Sequence, residues 1–325
     1  MRYENIAETD LYASVLSMGG GSITSLDDIE GCFRLLDKYV SLGGNFVDTA
    51  NVYGKWLPGG HNTSEQIIGK WMAARKNRQE IILATKGGHP DLNAMNTPRL
   101  SKAEVEKDLN ESLSSLNTSH IDLYWLHRDD ERIPVPEIIQ YLNEFVKQGK
   151  IRYFGCSNWR VSRIKEAVDF AEKEGLQGFT GNQMMWSFAA PDPEAIEDRL
   201  LVPMDEETFK LHQETGLAAI PYSSQAKGYF EKLDRQGKKM NEAVKAVYDH
   251  DDNQTKYKRL KQLTEEHSVS LTTLSLAWMI AQSIQTFPVI GSRTIDQLES
   301  SMQAGGLELS REEVRFLETG DFFRK

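Results

Sequence analysis

Asp48 and Tyr53 stand five positions apart in NFVDTANVYG, Asn45 to Gly54, where a short apolar stretch ends in a carboxylate and opens into a loop carrying a phenol. A phenol with an ordinary pKa of ~10 donates protons poorly at neutral pH unless a cation lies beside it. Lys86 closes the apolar run IILATK and His127 closes IDLYWLH, so an ammonium and an imidazole also sit where apolar runs end. If the four converge, Asp48 holds Lys86, Lys86 acidifies the phenol, and Tyr53 acts as a general acid. His127, donating a hydrogen bond, would orient and polarise a carbonyl oxygen. Each residue also has a bland reading: a cap, a loop aromatic, a solvated strand end and a hydrogen-bonded core histidine. Convergence on one rim is what would separate the two readings.

The elements that must position these groups follow from apolar spacing. Residues 3 to 15 alternate around Ile6, Tyr12 and Val15, with a turn at Glu8-Thr9-Asp10, and predict a small hairpin. Leu16 to Ser22 reads as a strand dissolving into three glycines. Strands are expected from about 15, 44, 81, 121, 150, 178, 217 and 285, and a helical pattern follows each. The helices are expected at 26–42, 64–75, 101–116, 135–148, 161–174, within 191–215, at 255–266 and 272–281, and at 294–304, with a trailing helix at 310–319. Ser64 should cap the second, Ser101 and Glu104 should form a capping box, and Gly149 and Gly175 should stop the helices before them. Gln225 to Asn253 reads as an irregular charged stretch, longer than an ordinary connection.

Eightfold strand–helix alternation over this length predicts an α/β protein, a (β/α)8 TIM barrel with an N-terminal β-hairpin and a C-terminal extra helix, in one domain over residues 1–325. A doubly wound open sheet is the alternative. GGGSIT breaks the G-x-G-x-x-G spacing, which weakens its dinucleotide-binding version. In a barrel, reactive groups belong at the carboxyl ends of strands, where Asp48, Lys86, His127, Ser157, Asn158, Gln183, Tyr222 and Arg293 all fall.

Composition narrows the partners. The chain has 325 residues, 39% of them hydrophobic, and a formal net charge of −10. That balance opposes broad attraction to nucleic acid or anionic lipid, so a phosphate-bearing ligand needs a local basic site. No apolar run approaches the ~20 residues that span a bilayer, and MRYENIAETD is no secretory signal. Cys32 and Cys156 lie far apart in apolar segments, which suggests reduced buried thiols and a cytoplasmic setting. Seven scattered histidines, only His127 well placed, argue against a metal-dependent hydrolase and for no metal. Nothing in the residues specifies an oligomeric state.

The motifs FVDTANVYG, LATKGG, IDLYWLH, GKIRYFGCSN, Asn182-Gln183, PYSS at 221–224 and VIGSRT at 289–294 resemble those of the aldo-keto reductase superfamily over essentially the whole chain. The resemblance implies a barrel that binds a nicotinamide dinucleotide without a Rossmann domain, and a tetrad of Asp48, Tyr53, Lys86 and His127 that reduces a small carbonyl substrate. It implies NADP(H) as cofactor. Ser157, Asn158 and Gln183 suit its carboxamide, Tyr222 offers a flat face for stacking, and Gly20 lies in the glycine run at the mouth. Ser223 and the backbone from Gln225 to Gly228 would pass the pyrophosphate.

Gly291, Ser292 and Arg293 lie where a strand feeds a helix, so free N–H groups and a guanidinium favour an anion, read as the 2′-phosphate. Thr294 and Gln297 also fit a plain capping box, so both readings stand. Ser300-Ser301 replaces the Glu-Asn pair that many relatives offer to adenine. On the substrate side, Trp56, Trp159 and Trp186 are expected to wall the pocket, and Arg128 or His61 to recognise a polar substituent or remain solvated charges. A second functional reading is a cofactor-binding regulatory subunit with little turnover, similar to channel-associated members of the superfamily.

Overall fold

The computed structural model describes residues 1–235 and 240–321. In chain order the elements are β1 (Tyr3–Asn5), β2 (Tyr12–Ser14), β3 (Ser17–Gly19), α1 (Ile29–Ser41), β4 (Phe46–Asp48), α2 (Thr63–Arg75), β5 (Ile82–Gly87), α3 (Lys102–Ser115) and β6 (Ile121–Leu126). They continue with α4 (Val135–Lys147), β7 (Ile151–Ser157), α5 (Val161–Glu174), β8 (Gly181–Gln183), α6 (Glu206–Thr215), β9 (Ala218–Ala219), α7 (Tyr229–Asp234) and α8 (Glu242–Tyr248). The last are α9 (Asp251–His267), α10 (Leu271–Ile280), β10 (Val289–Ile290), α11 (Ile295–Met302) and α12 (Arg311–Thr319).

β1 and β2 form the antiparallel hairpin, and eight parallel strands form one curled sheet in the order β10-β3-β4-β5-β6-β7-β8-β9. The two ends of that order also approach each other. Phe287 N donates to Ala219 O at 2.8 Å and Val289 N to Pro221 O at 2.9 Å, and Ala219 and Thr286 form a parallel bridge.

Strand alternation decides which side chains reach the site, because successive residues point to opposite faces. Phe46, Ile82, Ala84, Leu123, Trp125, Ala218, Ile220 and Phe287 share an interior cluster with Ile6, Leu11 and Ala13 of the hairpin. Val47, Leu83, Tyr124, Leu126, Phe154 and Cys156 lie in the larger cluster with the helices. Counting by two along the inward set leads to Asp48, Lys86 and His127, so the pleat that fills the interior also aims these three inward at the rim. The hairpin covers the opposite end, where Asp10 pairs with Arg152 of β7 at 2.7 Å.

Two glycines make room for this interior. A Cβ on Gly155 would lie 2.3 Å from the Trp125 ring and 2.5 Å from Gly181 O, so the tryptophan needs a bare backbone opposite it. Gly54, just after Tyr53, has φ +102, and a Cβ there would meet Thr63 at 2.6 Å.

The helices begin where chemistry predicts in most cases. The Ser101–Glu104 capping box is present, and Gly175 ends α5 in the left-handed region. Ser64 is not a cap. It lies inside α2, whose N-cap is Asn62, and its hydroxyl is buried, donating to Gly20 O at 2.8 Å and meeting Thr49 Oγ1 at 2.8 Å. The stretch 225–253 is also more ordered than its composition suggests. It contains α7, α8 and the start of α9; residues 236–239 of it lie outside the described residues. Cys32 and Cys156 are buried free thiols.

Candidate active site

At the carboxyl rim of β4 and β5, Asp48 and Lys86 are each 2% exposed. Lys86 Nζ donates to Asp48 Oδ2 at 2.5 Å and to Thr49 O at 2.7 Å. Gln183 Nε2, arriving from β8, donates to Asp48 Oδ1 at 2.7 Å. Both carboxylate oxygens are therefore held, which keeps a buried charge paired on two sides. Burial alone would lower the lysine's pKa, but the Asp48 carboxylate and the Tyr53 phenol outweigh it and raise it, so Lys86 stays an ammonium.

The ammonium lies 4.9 Å from the centre of the Tyr53 ring. Tyr53 is fixed from behind, since Ser64 N donates to Tyr53 O at 3.1 Å. Its ring packs edge-on against Trp56 and His127, both with centroids at 6.0 Å. His127 is 7% exposed and its pKa lies well below the usual histidine range, through burial first and then the nearby His89, Arg128 and Lys86. It is a neutral imidazole. The four tetrad residues thus converge on a groove of about 1860 Å³.

Ser157, Asn158, Gln183, Tyr222, Ser223, Gln225, Gly228, Gly291, Arg293 and Gln297 line the same groove. Ser157 Oγ accepts from Asn158 Nδ2 at 2.9 Å, and Asn158 Oδ1 accepts from Tyr222 OH at 2.6 Å and Val202 N at 3.1 Å. Asn158 adopts φ +60, which an asparagine tolerates at such a rim. Gln183 Oε1 is buried without a partner.

Several expected contacts are displaced. Gly20 is buried beneath the rim, where a Cβ would meet Ser64 Oγ at 2.7 Å and Thr49 Oγ1 at 2.8 Å; Gly21 and Ser22 line the groove instead. Ser292 is fully buried, its Oγ unpartnered, and only its neighbours Gly291 and Arg293 face the groove. Gln225 spends its side chain on the protein itself, its Nε2 donating to Ser301 Oγ at 2.9 Å and its Oε1 accepting from Gly291 N at 2.8 Å. Ser300 Oγ meets Ser270 Oγ at 2.6 Å. Thr294 Oγ1 does cap α11, accepting from Gln297 N, while Gln297 Oε1 accepts from Arg293 N at 2.9 Å.

The tryptophans divide. Trp56 is 52% exposed and lines the groove. Trp159 is 1% exposed and packs on Phe179, while Trp186 packs on Phe209 and Trp278, so neither walls the pocket. Both face away because distant aromatics receive them, which their position in the sequence does not reveal. His61 is exposed and outside the lining. Arg128 lines the groove, but buried and ion-paired with Asp198 rather than solvated.

Sequence reasoning missed His89, Leu92 and Met95 in the loop after β5, Leu201 after β8 and Lys232 of α7, and it offered Lys227 only as backbone beside the pyrophosphate; all six are in the lining. The Gly87-Gly88 pair, where β5 ends, marks a loop at the carboxyl end of a strand and was the available signal for the first three. Lys227, Lys232 and Arg293 make no ion pair with a carboxylate among the described residues. The pKa of Lys232 is lowered by burial, then by Arg293 and Lys227, which places these cations near one another.

The sequence profile of the Aldo/keto reductase family matches residues 16–319. The chain belongs to that family. Aldo-keto reductase ausK of Emericella nidulans is 30% identical over 98% of this chain and 79% of that protein. The uncharacterized oxidoreductase YrpG of Bacillus subtilis is 30% identical over 98% of this chain and 95% of its own length, and a norsolorinic acid reductase of Aspergillus flavus is 30% identical over 96% and 78%. A crystal structure of a thermostable aldo-keto reductase with the inhibitor epalrestat superposes with a TM-score of 0.74 at 21% identity, covering 98% of this chain and 99% of that one. This aldo-keto reductase is thus an enzyme whose relatives are named as reductases, dehydrogenases and oxidoreductases, and the regulatory-subunit reading finds no support among them.

Proposed function

We propose that this aldo-keto reductase binds NADP(H) and reduces an aldehyde or ketone to an alcohol, with Tyr53 as the general acid. The observation that carries the reading is the buried ammonium of Lys86, pinned by a carboxylate that Gln183 also grips, lying against the ring of Tyr53 beside a neutral His127.

The residues present fit a nicotinamide dinucleotide. The unpartnered Gln183 Oε1, with Ser157 and Asn158, matches a carboxamide that both donates and accepts, and Tyr222 presents a ring to the groove. The cluster of Lys227, Lys232 and Arg293 fits phosphate, and in an acidic protein such a cluster is a local basic site. When bound, the reduced nicotinamide supplies a hydride to the carbonyl carbon. His127, uncharged, donates a hydrogen bond that polarises the carbonyl oxygen. Tyr53 gives its proton to that oxygen, and Lys86 stabilises the phenolate left behind, while Asp48 and Gln183 keep the lysine in place. The buried base of the site limits water, which strengthens each of these interactions.

We infer that the curled sheet closes into a (β/α)8 barrel within one domain over 1–325, a reading supported by the hydrogen bonds between β9 and the segment entering β10. The two buried thiols suit a reducing, cytoplasmic setting. No helix among the described residues is long and apolar enough to cross a membrane. The test is to follow cofactor absorbance while a panel of aldehydes, ketones and sugars is added with NADPH, then with NADH. Oxidation of NADPH by at least one carbonyl is expected. Tight NADPH binding with no oxidation across the panel would overturn the proposal.

A further inference from the structure

Beside Tyr53 and His127 the groove holds a charge that this chemistry does not use. Arg128, directly after His127, is 8% exposed, with Nη1 donating to His127 O and Nη2 to Asp198 Oδ2, each at 3.0 Å. Its Nε is buried without a partner. Asp198 lies in the loop between β8 and α6 and also shapes it. Its Oδ1 accepts from Leu200 N at 3.0 Å, and its backbone oxygen accepts from Leu201 N at 3.1 Å, a tight turn that sets Leu201 into the groove lining. The next residue, Val202, is tied to Asn158.

The groove around this pair is apolar. Of the five large hydrophobic side chains that are exposed among the described residues, Trp56 and Leu92 line the groove and Leu200 adjoins it. Met95 and Leu201 extend the lining. A molecule reaching Tyr53 therefore meets apolar walls, the imidazoles of His127 and His89, whose pKa values burial lowers, and a guanidinium whose charge a carboxylate already balances.

We propose that Asp198 sets substrate charge: by occupying Arg128 it makes the groove select uncharged carbonyl compounds with an apolar body, and disfavour those bearing a carboxylate. A carboxylate entering this corner meets a second carboxylate and no free cation, so it loses its hydration without a partner. The inference rests on the reductase reading above and assigns its substrate class.

The experiment compares benzaldehyde with 3- and 4-carboxybenzaldehyde, using the full chain and NADPH. The wild type should favour the neutral aldehyde. Asp198→Asn keeps the acceptor that Leu200 N needs but turns an amide towards the guanidinium, which frees Arg128. The kcat/KM ratio of carboxylated to neutral aldehyde should rise about tenfold, mainly through KM, the scale of one hydrogen bond to a charged group. Adding Arg128→Gln should remove the gain. An unchanged ratio in Asp198→Asn with benzaldehyde turnover intact overturns the proposal, as does a gain that survives Arg128→Gln. Should Asp198→Asn fail to fold, the wild type still decides: benzamide should inhibit more strongly than benzoate, and the reverse order overturns the inference. No turnover of any aldehyde by the wild type would instead sink the reductase reading.

Discussion

Glu65 is a carboxyl group with no exposure, on α2, behind the loop that carries Tyr53. Burial pushes its pKa up to about 7 from an ordinary 4.5, against the pull of hydrogen bonds from Thr85, Ser112 and Asn62. Thr85 Oγ1 lies 2.6 Å from Glu65 Oε1, and Asn62 Nδ2 donates to Oε2 at 2.7 Å. The folded state therefore holds a proton that the unfolded chain releases as pH rises. The stability this proton contributes is complete below about 4.5 and lost as pH climbs through about 7. Moving one carboxyl over that interval is worth about 3 kcal/mol at about 1.4 kcal/mol per pH unit.

Glutamine mimics the protonated acid. Its amide oxygen still accepts from Asn62, and its amide nitrogen donates to the Thr85 hydroxyl, which can turn to accept. Urea unfolding of wild type and Glu65→Gln across pH 4 to 8 isolates this group, because every other titration is common to both. The difference in unfolding free energy should shift by about 3 kcal/mol in favour of the glutamine variant between the two ends. A difference that is flat with pH, or that moves towards the wild type, would refute the reasoning.

Three further outcomes are expected. Arg293→Met should weaken NADPH binding about 10- to 100-fold while leaving NADH nearly unchanged, as read by quenching of cofactor fluorescence, because the guanidinium would lose a charged hydrogen bond to the 2′-phosphate alone. Lys86→Met leaves the Asp48 carboxylate buried with only Gln183, and should destabilise the fold by about 3–5 kcal/mol in urea unfolding as well as abolish turnover. Gly155→Ala drives a methyl into the Trp125 ring and Gly181 O, and thermal unfolding should report a loss of about 1–3 kcal/mol or more, with the Trp125 fluorescence altered.

The sheet and three of the four clustered residues were legible because one property, the two-residue pleat, governs both. The apolar runs that announce β4, β5 and β6 end at Asp48, Lys86 and His127, and the same alternation that buries Phe46, Ala84 and Trp125 aims those three inward. What stayed hidden depends on partners remote in sequence. Nothing near Trp159 signals that Phe179 receives it, nor near Trp186 that Phe209 and Trp278 do. Gln183 looked like a cofactor contact alone, yet its amide also braces Asp48, 135 positions away. Glu65 reads as an ordinary helix acid until Thr85 and Asn62 close over it. The segment holding α7 and α8 is polar and lysine-rich, so its helices form by docking Tyr229, Phe230, Val244 and Tyr248 on the core rather than by a pattern visible in isolation.

The account turns on the Tyr53 phenol as the proton source for a carbonyl oxygen. Rapid mixing of the NADPH-loaded protein with an accepted aldehyde, in wild type and in Tyr53→Phe, tests this within one turnover. The variant should bind NADPH with an affinity close to wild type and oxidise it at least about 100-fold more slowly, the contribution expected of a positioned general acid. A Tyr53→Phe protein that oxidises bound NADPH at the wild-type rate would contradict the central claim.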